Sequence, residues 1–514
     1  MSISNHTIKI IKLLIGIGIV FFALNITLKY QLSVWLKSHQ VKGVFYTYKA
    51  LDINFIDGSI SMKEPSVTLL DNLGANFDGK VDFESISIYN VSYLDLLFEG
   101  HIDVQEIDLN APNGYLHKKK ALGKKETKDT IDSNTMNIQL QLQHLKINNA
   151  SIKVYDTHRS DSLWASVDNF SLDVSGIKVN NQTLLHSIPF TCKDYVIQSD
   201  SIFFKVGQFE HLKISKMEGN HKKTVVKKIQ FKNKYSRKSF SKILKKERDH
   251  YTIWIDSLLM IETSLQNLED DNIQFGARRF GFYQPKIEIF RDKLIEDELS
   301  IKPMYSQLLR KSALQIAIDT AEVNHATLIY TEKTKPENNG GSIVFKDMDI
   351  AIHRLGNVYT KNTTLMAEAL FMKTSPVLFR WNFNPHHTKD KFEFYGELGL
   401  MHMRDLNAFT EPTMNTDLSG TINAFNFEVK GNRIRSNTLL NVNYNNLQVH
   451  LIDKKTKKKR KLLSSIINLF VSKKSKNKEL PYKQIEVEVE REQTKSFFNY
   501  MVVNIKAGMK KAML

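Results

Sequence analysis

A single cysteine, Cys192, among 514 residues excludes an intramolecular disulfide and any metal site built on two thiolates. Only ten prolines, with 42% hydrophobic and 25% charged residues, exclude a disordered or proline-rich chain. Helical periodicity is also scarce: short patterns occur at Ser92 to Phe98, Met304 to Lys311 and Met403 to Phe409, and a longer one fills the last twenty residues. Catalytic signatures are missing as well. There is no G-x-S-x-G elbow, no P-loop and no Rossmann fingerprint, and sixteen histidines yield no H-E-x-x-H. His386 and His387 are adjacent in a predicted strand, so they point to opposite faces and do not converge on a metal. Asp347 and Asp349 fall on a strand's polar face, where solvation explains them. The chain is therefore read as non-enzymatic, with no cofactor and no metal.

What is present begins with one long apolar run, from Leu13 to Leu28, between Lys9 and Lys12 on one side and Lys29 on the other. Leu13, Leu14, Ile15, Ile17, Ile19, Val20, Phe21, Phe22 and Leu24 form its body. At about 1.5 Å per residue the run falls short of a ~30 Å hydrocarbon core. Ile8, Ile10 and Ile11, with the early lysines snorkelling outward, close the gap. No Ala-x-Ala pattern follows, so the expectation is an uncleaved, single-pass signal anchor over residues 1–37. Gly16 and Gly18 lack the preceding strand and third glycine of a nucleotide loop. Lysines flank both ends, so charge does not fix the topology.

The net charge of +17 is concentrated in three stretches: Lys118 to Lys128, His221 to Arg248, and Lys454 to Lys478. They read either as solvated connections or as segments drawn to anionic headgroups, where each basic residue contributes roughly 1 kcal/mol. None has the spacing of a base-reading motif, so no nucleic-acid partner is expected.

Elsewhere the dominant period is two, the mark of strands with one apolar face. Ile138, Leu140 and Leu142 alternate with Gln and Asn, and Ile485, Val487 and Val489 with Gln and Glu. The pattern recurs at Ile86 and Ile88; at Phe170, Leu172 and Val174; at Leu314, Ile316 and Ile318; at Met348, Ile350 and Ile352; at Phe425, Phe427 and Val429; and at Leu440, Val442 and Tyr444. Four segments, Glu106 to Lys120, His144 to His158, Arg279 to Lys293 and Thr320 to Thr334, each read as strand, polar or proline-containing turn, strand. They come in two pairs, each bridged by a charged linker. Val167 to Val174 then matches Phe345 to Ile352, which implies an internal duplication. The expected organisation is an anchor (1–37), a first repeat region (38–220), a basic linker (221–250), a second repeat region (251–453), and a basic segment with a final strand and an amphipathic helix (454–514).

A one-faced sheet must cover that face. With few helices available, the options are facing sheets, a closed barrel, or an elongated curved antiparallel sheet whose apolar concavity holds something other than protein. Lipid acyl chains suit a tethered chain, and Ile86, Ile88, Ile138, Leu140, Leu142, Phe170, Leu172, Val174, Leu314, Ile316, Ile318, Ile350, Phe425, Phe427 and Val442 become the candidate lining. On the last helix, Phe497, Phe498, Met501, Ile505 and Met509 share one side, either as an interfacial face or as a cap that plugs the sheet's end. Ser464 to Val471 is too short to span a bilayer, and reads as an interfacial dip or another strand.

The anchor, Gly58-Ser59-Ile60 and the stretch Ile86 to Leu116 resemble the AsmA-like family of diderm bacteria. Ser92, Asp95, Leu96 and Leu97 match its S-x-x-D-L-L turn, and Val104, Ile107, Leu109 and Pro112 match its V-x-x-I-x-L-x-x-P strand. Arg491 to Gly508 is similar to the ends of Bacteroidota members. The resemblance implies a repeating β-groove anchored in the inner membrane and extending into the periplasm. Phospholipid would be its cargo, outer-membrane or other envelope proteins its further partners, and outer-membrane biogenesis or homeostasis its role. Two other classes stay open: a structural or adhesin-like β protein whose faces bury each other, and a hydrolase with converging carboxylates.

Overall fold

The computed structural model describes residues 43–54, 57–70, 77–92, 102–118, 139–156, 162–268, 272–453 and 483–513, with part of 26–34. Several expectations lie outside the described residues: the anchor run from Leu13 to Leu24, most of the helix expected from Ser92 to Phe98, the basic stretches 119–128 and 454–478 with the apolar 464–471, and Ile138. The protein is mainly β and its pairing is mixed. The strands belong to two compact units, one comprising residues up to Lys205 with Ile214–His221, the other Val206–Lys213 with Lys222 onward.

In the first unit each strand is long and bent. The halves Ser59–Lys63 and Ser66–Leu69 are one such strand, as are Phe77–Asp82 and Ser85–Val91, and Ile102–Asn110 and Asn113–Lys118. Gln139–Asp156 and Ser162–Asn180 run through without a break. Among the described residues neighbours pair antiparallel with one exception: both halves of the 102–118 strand run parallel to Gln139–Asp156. A parallel neighbour requires the chain to cross back before the next strand starts.

The bends are bulges. Glu64, Ala111, Asn149 and Asn169 sit in the left-handed region, with φ of 48°, 47°, 55° and 48°. Each inserts one extra residue and switches the phase of the alternation, so that apolar side chains on both sides of the bend stay on one face. The bulges adjoin across the sheet. The Ala111 amide donates to the Asn148 carbonyl and the Ser151 amide to the Pro112 carbonyl, both at 2.8 Å.

The second unit repeats this design. Ile273–Tyr283 and Lys286–Asp292 both run parallel to Gln315–Lys333, which pairs antiparallel with Gly341–Gly356. The Gln284 amide donates to the Asn324 carbonyl and the Thr327 amide to the Pro285 carbonyl, again at 2.8 Å. His325 (φ 53°) and Asp347 (φ 45°) take the bulge positions of Asn149 and Asn169. The four segments expected as strand, turn, strand are thus bent strands that do not reverse direction. Asp349 has a local task, since its carboxylate accepts the His325 amide at 2.8 Å.

Residues 221–250 are not a linker. Lys223–Asn233 is a strand paired with His250–Asn267, and α1, Arg237–Ile243, follows it. The lysines mask an alternation that changes phase at Lys228 (φ 53°): Thr224, Val226 and Ile229 are buried while Lys223, Lys227 and Lys228 face solvent. Among the described residues three further helices pack on this unit: α2 (Tyr305–Arg310), α3 (Asn407–Met414) and α4 (Phe497–Met513). Helix α3 ends at Asn415 in the left-handed conformation that closes helices. The Ser496 hydroxyl caps α4 by accepting the Asn499 amide at 3.2 Å. His386 and His387 occupy a turn, not a strand, where the His387 ring accepts the Lys389 amide.

Candidate functional site

In-register pairing converts the alternation into rows. Across the first unit, Leu51, Met62, Ile86, Leu109, Ile147, Leu172 and Ile197 are successive partners on seven strands. Ile53, Ile60, Ile88, Ile107, Leu145, Val174 and Tyr195 form the next row, and Val91, Val104, Leu142 and Ile177 a third. Beyond the bend the rows continue through Val67, Val81, Gly114, Ile152, Val167 and Ile202. Six inter-strand steps of about 4.8 Å give a row of roughly 29 Å along the sheet.

These rows are incompletely covered. Only Val104, Leu142, Val174 and Ile177 of the central cluster are fully buried, whereas Ile88, Ile107, Leu140, Leu145 and Leu172 remain half-buried. Helix packing on this sheet is slight among the described residues: the single turn Thr183–Leu185, whose Leu185 is itself exposed, and helical residues near the start of the chain, where Lys29 meets Asp52 and the Ser33 hydroxyl meets that of Tyr48, both at 3.3 Å. The opposite face is polar and self-satisfied. Lys146 meets Glu106 at 2.7 Å, His144 meets Asp173 at 2.9 Å, and the Asn148 amide donates to Asp108 at 2.7 Å. Burial and the adjacent Glu106 push the Asp108 carboxyl up.

The second unit starts the same way and ends differently. Leu258, Met260, Phe280, Phe282 and Val323 are half-buried in rows, with Ile316 and Ile352 beside them around buried Ile318. From Trp381 onward the rows disappear under α2 and α4. Phe497 stacks on Trp381 at 4.5 Å between ring centres and meets Phe392 edge-on at 5.1 Å. Phe425, Phe427 and Val442 are buried in this core, so they are not open lining. Gly508 permits the close approach of α4, because a Cβ there would stand 2.7 Å from the Leu440 side chain. Asn504, fully buried, accepts the Ser436 and Thr438 hydroxyls at 2.9 and 2.5 Å.

The segment leading into α4 is clamped by charge. Arg291 forks Asp249 with two 2.6 Å bonds, Lys293 holds Glu247 at 2.6 Å, and Lys495 holds Asp297 at 2.6 Å. The Lys495 ammonium lowers the Asp297 carboxyl, while burial and Asp249 push the Tyr251 hydroxyl up to about 12. Behind α2, the fully buried Asp390 receives Arg310 at 2.8 Å and the Ser306 hydroxyl at 2.9 Å.

Of the candidate lining, then, Ile86, Ile88, Leu140, Leu142, Phe170, Leu172 and Val174 lie in the first unit's rows. Ile316, Ile318 and Ile350 lie in the second unit's. Leu314 precedes its strand and is exposed. On α4, Phe497 and Met501 are buried against the sheet, Ile505 and Met509 pack beside them, and Phe498 faces outward. The interfacial face expected there is therefore occupied by protein, because its rings fit the aromatic end of the rows. Sequence reasoning missed Leu51, Met62, Leu109, Ile147, Leu258 and Phe282, all of which obey the same alternation. Among the described residues no group of His, Cys, Asp and Glu suits a metal ion, and no helix is long and apolar enough to cross a membrane. No protein-family model matches the chain, and no curated protein matches it either.

Proposed function

We propose that the chain is a non-enzymatic, membrane-anchored envelope protein of the AsmA-like type, which holds or conducts phospholipid acyl chains along its apolar rows. One observation carries this reading: seven consecutive strands present in-register aliphatic side chains on one face, and that face stays half open. A half-open apolar face of this extent in water is an aggregation hazard unless something occupies it. Acyl chains fit because each buried CH₂ contributes about 0.8 kcal/mol without directional bonds, so a chain is held yet slides. Polar headgroups would stay in water over the open side. The inner membrane as anchor and the periplasm as compartment belong to the same proposal. The covered end of the second unit favours a structural role for that part alone.

Photocrosslinking tests this in cells with the full chain. A benzophenone amino acid at Leu140 or Leu172 is expected to yield adducts with the mass of a phospholipid, and one at exposed Lys153 on the polar face none. Protein-only adducts at Leu140 and Leu172 would sink the proposal and support faces that bury each other.

A further inference from the structure

The face of α4 that the sheet does not use has its own chemistry. Phe498, Val502 and Val503 are exposed by 56%, 44% and 38%, and they group into one apolar patch on a helix already packed on its other side. Lys506 and Lys510 are exposed along the same outward arc, whereas Lys511 turns inward to the Glu486 carbonyl at 3.0 Å. No acidic residue occurs in the seventeen residues of the helix. The outer arc is thus apolar and cationic, with no carboxylate of the helix itself to oppose it.

The neighbouring segment extends the relief. Lys302 donates its amide to the Gln493 carbonyl at 2.8 Å, so residues 301–308 run beside the start of α4. Tyr305 meets the Phe498 ring edge-on at 6.2 Å, and Ile301 and Leu308 protrude with 70% and 52% exposure. Protruding rings and aliphatic groups interleaved with lysines match a surface that is apolar below and negative above.

We infer that this outward face of α4, with Tyr305 and Leu308 beside it, docks onto an anionic lipid bilayer surface. Phe498 and Val502 enter the boundary between headgroups and acyl chains while Lys506 and Lys510 pair with lipid phosphates. A second copy of the chain would leave the two lysine sets facing each other, which disfavours self-association. The inference does not depend on lipid in the rows, since it concerns the opposite side of the helix.

The test uses the full chain reconstituted in liposomes, with Cys192→Ser and Val502→Cys carrying an environment-sensitive nitrobenzoxadiazole label. In vesicles of phosphatidylcholine with phosphatidylglycerol the emission is expected to shift blue and brighten, and in pure phosphatidylcholine to stay aqueous. Lys506→Gln with Lys510→Gln, at exposed positions that leave the packing intact, should weaken docking roughly thirtyfold, from about 1 kcal/mol per lysine. The native Cys192, labelled in the same way, serves as the control position and should remain aqueous. Aqueous emission from residue 502 in both vesicles overturns the inference. So does an equal shift at residue 192, or a shift that follows protein concentration without anionic lipid.

Discussion

A carboxylate placed in the apolar rows should have opposite consequences at two positions that look alike in the sequence. Leu172 stands between Ile147 and Ile197 in an open row, half-buried. Full burial of a leucine contributes about 1.5 to 3 kcal/mol, so Leu172→Asp forfeits roughly 1 kcal/mol, and the new charge stays hydrated over the open side. Val442 is 0% exposed within the core that α4 covers. Val442→Asp loses about 2 kcal/mol of burial and traps an unpaired carboxylate at several kcal/mol more. The total approaches the ~5 to 15 kcal/mol that holds a domain together. Urea titration with pulse proteolysis, read by fragment mass, measures each unit separately, as two units need not unfold in one step. Leu172→Asp is expected to shift the first unit's midpoint slightly, and Val442→Asp to leave the second unit cleaved without denaturant. Equal damage from the two would refute the reasoning, because a protein segment must then lie over the Leu172 row.

Other consequences are as direct. Phe497→Ala removes the ring stacked on Trp381 and should cost the second unit about 3 to 5 kcal/mol, with a change in tryptophan emission before unfolding; an unchanged melting curve would dismiss α4 as part of the core. Asn149→Val forces a β-branched side chain into the left-handed region and should lower stability by roughly 1 to 2 kcal/mol in thermal melts, whereas Asn149→Gly should not. Burial pushes the Tyr500 hydroxyl, like that of Tyr251, up to about 12. Folding therefore retains these protons. The associated stability is complete below the unfolded value near pH 10 and is lost as pH rises toward 12. Tyr500→Phe should move alkaline unfolding to higher pH, and no displacement would mean the phenol is hydrated.

The alternation made most strands legible, and it also held the bulges for a reader who tracked its phase. In Gln139–Asp156 the apolar positions run Leu145, Ile147, then Ala150, Ile152, Val154, changing from odd to even across Asn149. Ala111-Pro112 and Gln284-Pro285 mark the same step, although a proline beside polar residues reads as a reversal when only the neighbouring residues are weighed. The strand Lys223–Asn233 was hidden because charge, not hydrophobicity, dominates its window. Parallel pairing at Gln139–Asp156 and Gln315–Lys333 joins segments across long connections, and no local pattern encodes it. Nor does amphipathicity say what a helix faces. The residues Phe497 and Met501 fit a bilayer and a sheet equally well until Trp381 and Phe392 are known to be waiting.

The line of bulges has a mechanical meaning. A pleated layer creased along one line resists bending wherever its ladders are regular and yields most readily about the crease, as a folded card does. Ala111, Asn149 and Asn169 lie on such a line in the first unit. Opening or narrowing about it changes the angle between the two halves of every strand, while the pairing between neighbouring strands stays in register. The width over the apolar rows is then the soft dimension and their length the stiff one. A surface built this way widens or narrows without any row losing its register.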